Sequence, residues 1–355
     1  MREPTRVGPG ARCATGRWAA GRVRTGRWCV AWSAQGVAPV VMRPSAFAAP
    51  TALRNAQVAD PREEVPDAAA VLRELDGLVG LMQVKATVRE LAAYATVQRW
   101  RSAAGLRADG LVLHMAFRGN PGTGKTTVAR LLGRLLHGLG FLERGHLVEA
   151  ERADLVGEYV GHTAARTRDL VGRASGGVLF VDEAYSLNRG GDKDFGREAT
   201  DVLVKAMEDR RSALVVILAG YRDEMDRFLR SNPGLRSRIP LQLDFPDYSL
   251  DELLRIADQM LTERQYRACP AARARLRELL AGPLGRAATA TGNARLVRNL
   301  LERALRHQAM RLVRGGTPAD VPSAQGLMEL LAADLEGVLR PQDGPIPLVP
   351  PGMHA

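Results

Sequence analysis

Apolar and polar positions follow two different rhythms along this chain, and the change between them divides it. Between about residues 66 and 246, short apolar runs alternate with longer segments whose apolar positions recur three and four apart. The runs are LHMAFRG (113–119), HLVEAER (146–152), GVLFVDEA (177–184), ALVVILAGY (213–221) and LQLDF (241–245). ALVVILAGY lacks polar alternation, which predicts a strand buried on both faces. Helical spacing runs through 83–103, through GKTTVARLLGRLLHGLG, and through 162–174, 197–211 and 222–231. Strands separated by helices predict a five-stranded parallel sheet with right-handed crossovers. After residue 246 the strand pattern stops. SLDELLRIADQMLTERQ (249–265) opens with Ser249 and Glu252, spaced as a capping box. Further helical spacing covers 271–282, 292–315 and 323–339. The expected architecture is an α/β core over 66–246 and a small all-helical domain over 247–340.

The two flanks carry neither rhythm. Residues 1–65 are rich in Ala, Gly, Pro and Arg and repeat TGRW at 15–18 and 25–28; residues 341–355 are Pro-rich. Such compositions bury too little apolar surface to offset chain entropy, so both are expected to be disordered. The flank also changes the meaning of the charge. The net +11 and a pI near 10 suggest a nucleic-acid partner at first sight. Residues 1–59 hold nine Arg, no Lys and only Glu3 as an acid, so +8 of the charge sits there and +3 on the rest. The folded body is only mildly basic, which argues against nucleic acid. Cys13, Cys29 and Cys269 have no metal-binding spacing, which fits a reducing cytoplasm. No apolar run is long enough for a membrane span.

Chemistry enters with FRGNPGTGKTTVAR (117–130). Gly119, four residues, then Gly124-Lys125-Thr126 is the spacing of a phosphate-binding loop. Its glycines let backbone N–H groups close on phosphate oxygens, and the following helix adds its positive end. The expected nucleotide contacts are Gly119, Asn120, Pro121, Gly122, Thr123, Gly124, Lys125, Thr126 and Thr127. Lys125 would place an ammonium on the β and γ phosphates, and Thr126 a hydroxyl on Mg2+. Asp182 and Glu183 follow the apolar run of VLFVDEA. A carboxylate at a strand end suits Mg2+, and its neighbour can polarise an attacking water. Binding alone would not need that second carboxylate, so the pair points to ATP hydrolysis.

Three further features await partners. Arg236 and Arg238 precede the last strand, where a guanidinium can reach a neighbouring subunit's γ-phosphate. Arg295, with Arg298 one turn on, opens a helix of the second domain and can fold back over the nucleotide. Tyr159 stands in a glycine-flanked stretch, LVGEYVGHTAARTR, suited to gripping a polymer.

The segments FRGNPGTGKTTVAR, HLVEAERADLVGEYVGHTA, GGVLFVDEAYSL, VVILAGY, NPGLRSRIPLQLDFPDY and GNARLVRN together resemble the CbxX/CfxQ family of AAA+ ATPases, and within it the sporulation-protein-K type most. The match spans about residues 70–315. The resemblance implies an AAA+ P-loop NTPase fold, ATP and Mg2+ as cofactors, and a cytoplasmic homo-oligomeric ring, commonly a hexamer, that remodels a protein client. It implies Arg238 as the arginine finger ahead of Arg236, Arg295 as the sensor-2 arginine, and Glu183 as the base. Tyr159 and Val160 become the pore loop, and Val79 and Gly80 the adenine border. Tyr221 occupies the sensor-1 position, where the wider class carries Asn, Ser or Thr. The alternative readings are a nucleotide-gated assembly protein with little turnover and, behind it, a DNA-acting AAA+ protein.

Overall fold

Phe117, Phe180 and Phe245 lie on three different strands and are each at most 2% exposed. Their rings meet at centroid distances of 4.9 Å (Phe117 to Phe245) and 6.5 Å (Phe117 to Phe180). Each contributes roughly 2–3 kcal/mol of burial free energy, so the sheet centre holds the strands in register. The computed structural model describes residues 24–25, 28–31, 40–42, 65–107, 112–157, 159, 161–189, 195–314 and 323–339. The chain divides into two units, Met1–Asp60 and Pro61–Ala355.

In the first unit, β1 (Arg24–Thr25), β2 (Trp28–Ala31) and β3 (Val40–Met42) pair antiparallel, with Cys29 opposite Met42. The rest of the flank expected to be disordered, apart from Val65, lies outside the described residues, as does 341–355.

The second unit begins with α1 (Ala68–Gly77), which the sequence reading passed over, and α2 (Met82–Ala103). Asp67 caps α1 by accepting from Ala69 N–H and Ala70 N–H. The core then runs β4 (Met115–Gly119), α3 (Lys125–Gly138), β5 (Leu147–Ala150), α4 (Arg152–Leu155), α5 (His162–Arg173), β6 (Val178–Val181), α6 (Gly196–Asp209), β7 (Val215–Gly220), α7 (Arg222–Ser231), α8 (Pro233–Arg238) and β8 (Leu241–Phe245). The sheet order is β5-β6-β7-β4-β8, and every pairing is parallel. β7 is buried at all six positions, as its unbroken apolar run predicted. The phosphate-loop strand β4 lies centrally, with Met115 opposite both Ile217 and Leu241. The C-terminal ends of β4, β6 and β7 therefore open on one edge, where α/β sheets bind ligands.

The helical domain contains α9 (Leu250–Glu263), β9 (Arg267–Ala268), α10 (Pro270–Ala281), α11 (Pro283–Arg314), α12 (Ala324–Met328) and β10 (Glu329–Leu330). Ser249 and Glu252 form the expected capping box. The single helix expected over 323–339 is not formed. Glu329–Leu330 instead runs parallel to Arg267–Ala268, and a 3-10 turn follows over Ala332–Leu335. Asp334 explains the break. Its carboxylate, 2% exposed, accepts from Leu331 N–H and, bidentately at 2.8 Å, from Arg311. A straight helix would carry Asp334 away from these partners.

Burial alone would raise the Asp334 pKa, but the hydrogen bonds from Arg311 and Leu331 hold it below the usual carboxylate range. A lowered carboxylate stabilises the fold above its unfolded pKa, and that contribution fades as pH falls through the native value. Asp334→Ala should destabilise the domain by ~2 kcal/mol at neutral pH, less than a fully buried pair because a third of Arg311 meets water. Thermal melts at neutral and acid pH check this: the gap between parent and variant should narrow in acid.

Candidate active site

The phosphate loop leaves β4 at Gly119, and the cluster behind it fixes where it starts. Arg118 donates from Nε and Nη2 to both Asp244 oxygens (2.8 and 3.0 Å) and from Nη1 to Asp226 (2.7 Å). Two carboxylates on β8 and α7 thus hold the last residue before the loop. Gly122 shows why its position takes glycine: φ is +73°, and an added Cβ would lie 2.2 Å from Gly292 O. α3 starts at Lys125 behind Gly124, and no side chain caps its first N–H groups. Those donors face the loop's concave side.

Lys125 is buried, and its ammonium donates to Gly119 O and Asn120 O, both at 2.8 Å. Burial lowers its pKa most; Asp182 opposes that, Arg295 adds to it, and Asp247 and Glu183 oppose it. The structure therefore gathers five expected or neighbouring groups, Lys125, Asp182, Glu183, Asp247 and Arg295, in one electrostatic field. Thr126 is half-buried in the first turn of α3, while Thr127 is exposed beside it. Asp182 follows β6 and accepts from Glu183 N–H (2.9 Å). Glu183 takes a left-handed backbone (φ 45°, ψ 41°), uncommon outside glycine, and its carboxylate is exposed. Tyr185 lies just behind it, 4% exposed. Burial first, then the Glu183 carboxylate, push the Tyr185 hydroxyl up to about 12, so it stays protonated.

Val79 and Gly80 lie in the turn between α1 and α2. Lys85 holds this turn, its ammonium donating to Asp76 O (3.0 Å) and Leu78 O (2.5 Å). Gly80 has φ +65° and comes so close to Glu252 that a Cβ would sit 2.4 Å from its Oε1. The turn is thus wedged against the start of α9. Tyr221, at the end of β7, is 39% exposed and meets the Tyr185 ring at 6.0 Å.

Other expected residues stand apart from this cluster. Arg238 on α8 is drawn back on its own unit: it donates to Gly234 O (3.2 Å), and its Nε, shielded from water, faces Glu208 at 3.3 Å without hydrogen-bond geometry. Arg236 is exposed, and its guanidinium has no partner among the described residues. Tyr159 is 66% exposed, and its ring meets the His162 ring at 5.6 Å. Val160 lies outside the described residues. Arg298 is exposed on α11, one turn after Arg295.

Residues 115–247 match the ATPase family associated with various cellular activities (AAA), and residues 249–344 match the AAA lid domain. Stage V sporulation protein K of Bacillus subtilis is 51% identical over 244 residues, 68% of this chain and 76% of its own length. The plasmid-borne Protein CbxX of Cupriavidus necator is 50% identical over 268 residues, 75% of this chain and 83% of its own. The chain belongs to the CbxX/CfxQ family of AAA+ ATPases. Another relative, 45% identical over 75% of this chain and 90% of its own length, is the chloroplastic ribulose bisphosphate carboxylase/oxygenase activase of Cyanidioschyzon merolae. Among solved structures, the FIGL-1 AAA domain in complex with ADP covers 75% of this chain and 84% of its own at 20% identity and a TM-score of 0.50, a likeness of fold.

As a CbxX/CfxQ member the protein is an AAA+ ATPase, and the helical domain is its lid. The loop fits a nucleotide: its donors are uncapped, its lysine is seated, and its glycine approach excludes side chains. The donor set also fits Mg2+. Among the described residues no three His, Cys, Asp or Glu converge as a metal cage. A single carboxylate and a hydroxyl match an ion carried chiefly by phosphates and water. Among the described residues no helix is long and apolar enough to cross a membrane.

Three residues at this site went unnoticed in the sequence: Asp247, Tyr248 and Asn293. Asn293 bonds to Asp247 and to Tyr248 N–H, and Tyr248 reaches the loop at Thr123 O. The available signal was Gly292-Asn293 in front of a helix, since asparagine tolerates unusual backbone better than most residues. The expected start of a helix at 292 coincides with the break in α11 at Asn293.

Proposed function

We propose that the protein is a Mg2+-dependent ATPase that assembles into a ring, with a hexamer the expected size, and remodels a protein partner. Thr126 and Asp182 would hold Mg2+, which neutralises phosphate charge when bound. Lys125 and the loop N–H groups bind and orient the phosphates. Glu183 accepts the proton of the attacking water. Arg295 covers the nucleotide from the lid, and Val79 and Gly80 border the base. Arg238 or Arg236 reaches the nucleotide of the adjacent subunit. Tyr159 and Val160 grip the partner chain.

The observation that carries the remodelling step is Tyr159, an aromatic ring 66% exposed between glycines 157 and 161. The ring meets His162 edge-on and leaves most of its face open to a partner chain. Specific ATPase activity should rise with protein concentration, because the arginine acts in trans, and native mass spectrometry with ATP and Mg2+ should show a closed oligomer. A monomeric mass with concentration-independent turnover would sink the ring. A ring that binds ATP without turning it over would favour the assembly reading instead.

A further inference from the structure

The lid is bonded to the phosphate loop itself, residue by residue. Asn120 Nδ2 donates to both Asp247 carboxylate oxygens at 3.0 Å. Pro121 O accepts from Asn293 Nδ2 (3.4 Å), Gly122 O from Ala294 N–H (3.2 Å), and Thr123 O from the Tyr248 hydroxyl (3.2 Å). Four consecutive loop residues are thus each tied to the hinge or to the lid. Asn293 joins the ties: its Nδ2 also donates to Asp247 Oδ1 (2.8 Å), and its Oδ1 accepts from Tyr248 N–H (3.0 Å).

Asn293 is fully buried and takes φ 43°, ψ −127°, at the kink between the two helical stretches that make up α11. Such a conformation persists only where surrounding bonds over-determine it. Here those bonds come from both sides of the hinge. The lid cannot swing from the core without breaking them, and the loop cannot change shape without pulling on them.

We infer that Asn293 and Asp247 form a latch that couples lid position to phosphate-loop shape and so governs how fast nucleotide leaves. Asn293 is a positioning residue: it acts through the loop backbone and need not touch the nucleotide. The inference rests on nucleotide binding at the loop, but the latch itself can be tested without nucleotide.

Asn293→Asp sets two carboxylates against each other. Adding Asp247→Asn restores one donor and one acceptor across that contact, leaving only the longer donation to Pro121 O unmade. In the nucleotide-free full chain, Asn293→Asp should speed amide hydrogen exchange at 120–124 and 292–296, and the double variant should regain protection. With a fluorescent ADP analogue, the single variant should release ligand about tenfold faster, and the double variant should return to near the parent rate. Asn120→Ala cuts the tie from the core side while leaving the lid's own packing intact, and should also speed exchange at 292–296 in the nucleotide-free chain, a readout that a lost nucleotide contact at Asn120 would not move. It guards against a lid that simply unfolds. Unchanged exchange in Asn293→Asp, or faster release that Asp247→Asn does not rescue, overturns the latch. Altered exchange with parent-like release in both Asn293→Asp and Asn120→Ala overturns its control of nucleotide exit. Failure of the parent to bind ADP would overturn the nucleotide reading instead, with hydrogen exchange still deciding the latch.

Discussion

Glu183→Gln is expected to bind ATP as tightly as the parent and to hydrolyse it about 10²–10⁴-fold more slowly. The substitution keeps the size and shape of the side chain but removes its basicity. It leaves Asp182 untouched, and Asp182 is oriented separately by Glu183 N–H. The left-handed backbone at Glu183 is what throws the two adjacent carboxylates apart. One stays half-buried at the strand end and the other projects as an exposed side chain. Tyr185, neutral across the working range, neighbours Glu183 without competing for a proton. Phosphate release and titration with a fluorescent nucleotide separate the two effects. Turnover within threefold of the parent would remove Glu183 from its role. The same variant, held in ATP, should trap the ring on its partner, and the partner so trapped is the substrate on which Tyr159→Ala should lose remodelling.

How much of this could be read beforehand depended on how local each signal is. The strands β6 and β7 were legible because strands buried on both faces must be apolar throughout; LQLDF was placed to the residue by its alternation, and RDEMDRFLRS by its helical spacing. The phosphate loop was legible because its spacing is dictated by the phosphate. The stretch 323–339 misled because its apolar residues do recur at helical spacing. What breaks it is Arg311, whose pairing with Asp334 joins residues 23 apart. The latch was hidden for the same reason, since Asn120 and Asp247 are 127 positions apart and Asn293 lies 46 beyond Asp247. No local pattern distinguishes an aspartate that receives two amides from one that is merely solvated. The arginine pair was visible as a pair, yet only folding distinguishes its members: Arg238 is drawn toward Glu208 while Arg236 projects free of any partner among the described residues.

That difference shapes the second large effect. In the proposed ring, loss of whichever guanidinium reaches the neighbouring nucleotide should lower turnover by about 10³-fold with ATP binding retained. Arg238 can serve only if it gives up Glu208 and Gly234 O when the subunits meet; Arg236 can serve as it stands. Arg238→Ala and Arg236→Ala, compared singly, show which carries the effect. Mixing shows whether it acts between subunits. The inactive arginine variant retains Glu183, and the Glu183→Gln variant retains both arginines. In a mixed ring, a subunit with an intact Glu183 can be faced by a neighbour with an intact arginine, so two nearly inactive proteins should recover activity together. Recovery is possible only if the arginine and the glutamate that serve one ATP belong to different chains. If the mixture stays as inactive as its components while native mass spectrometry shows mixed rings, the arginine acts within its own subunit. The ring would then no longer be required for hydrolysis.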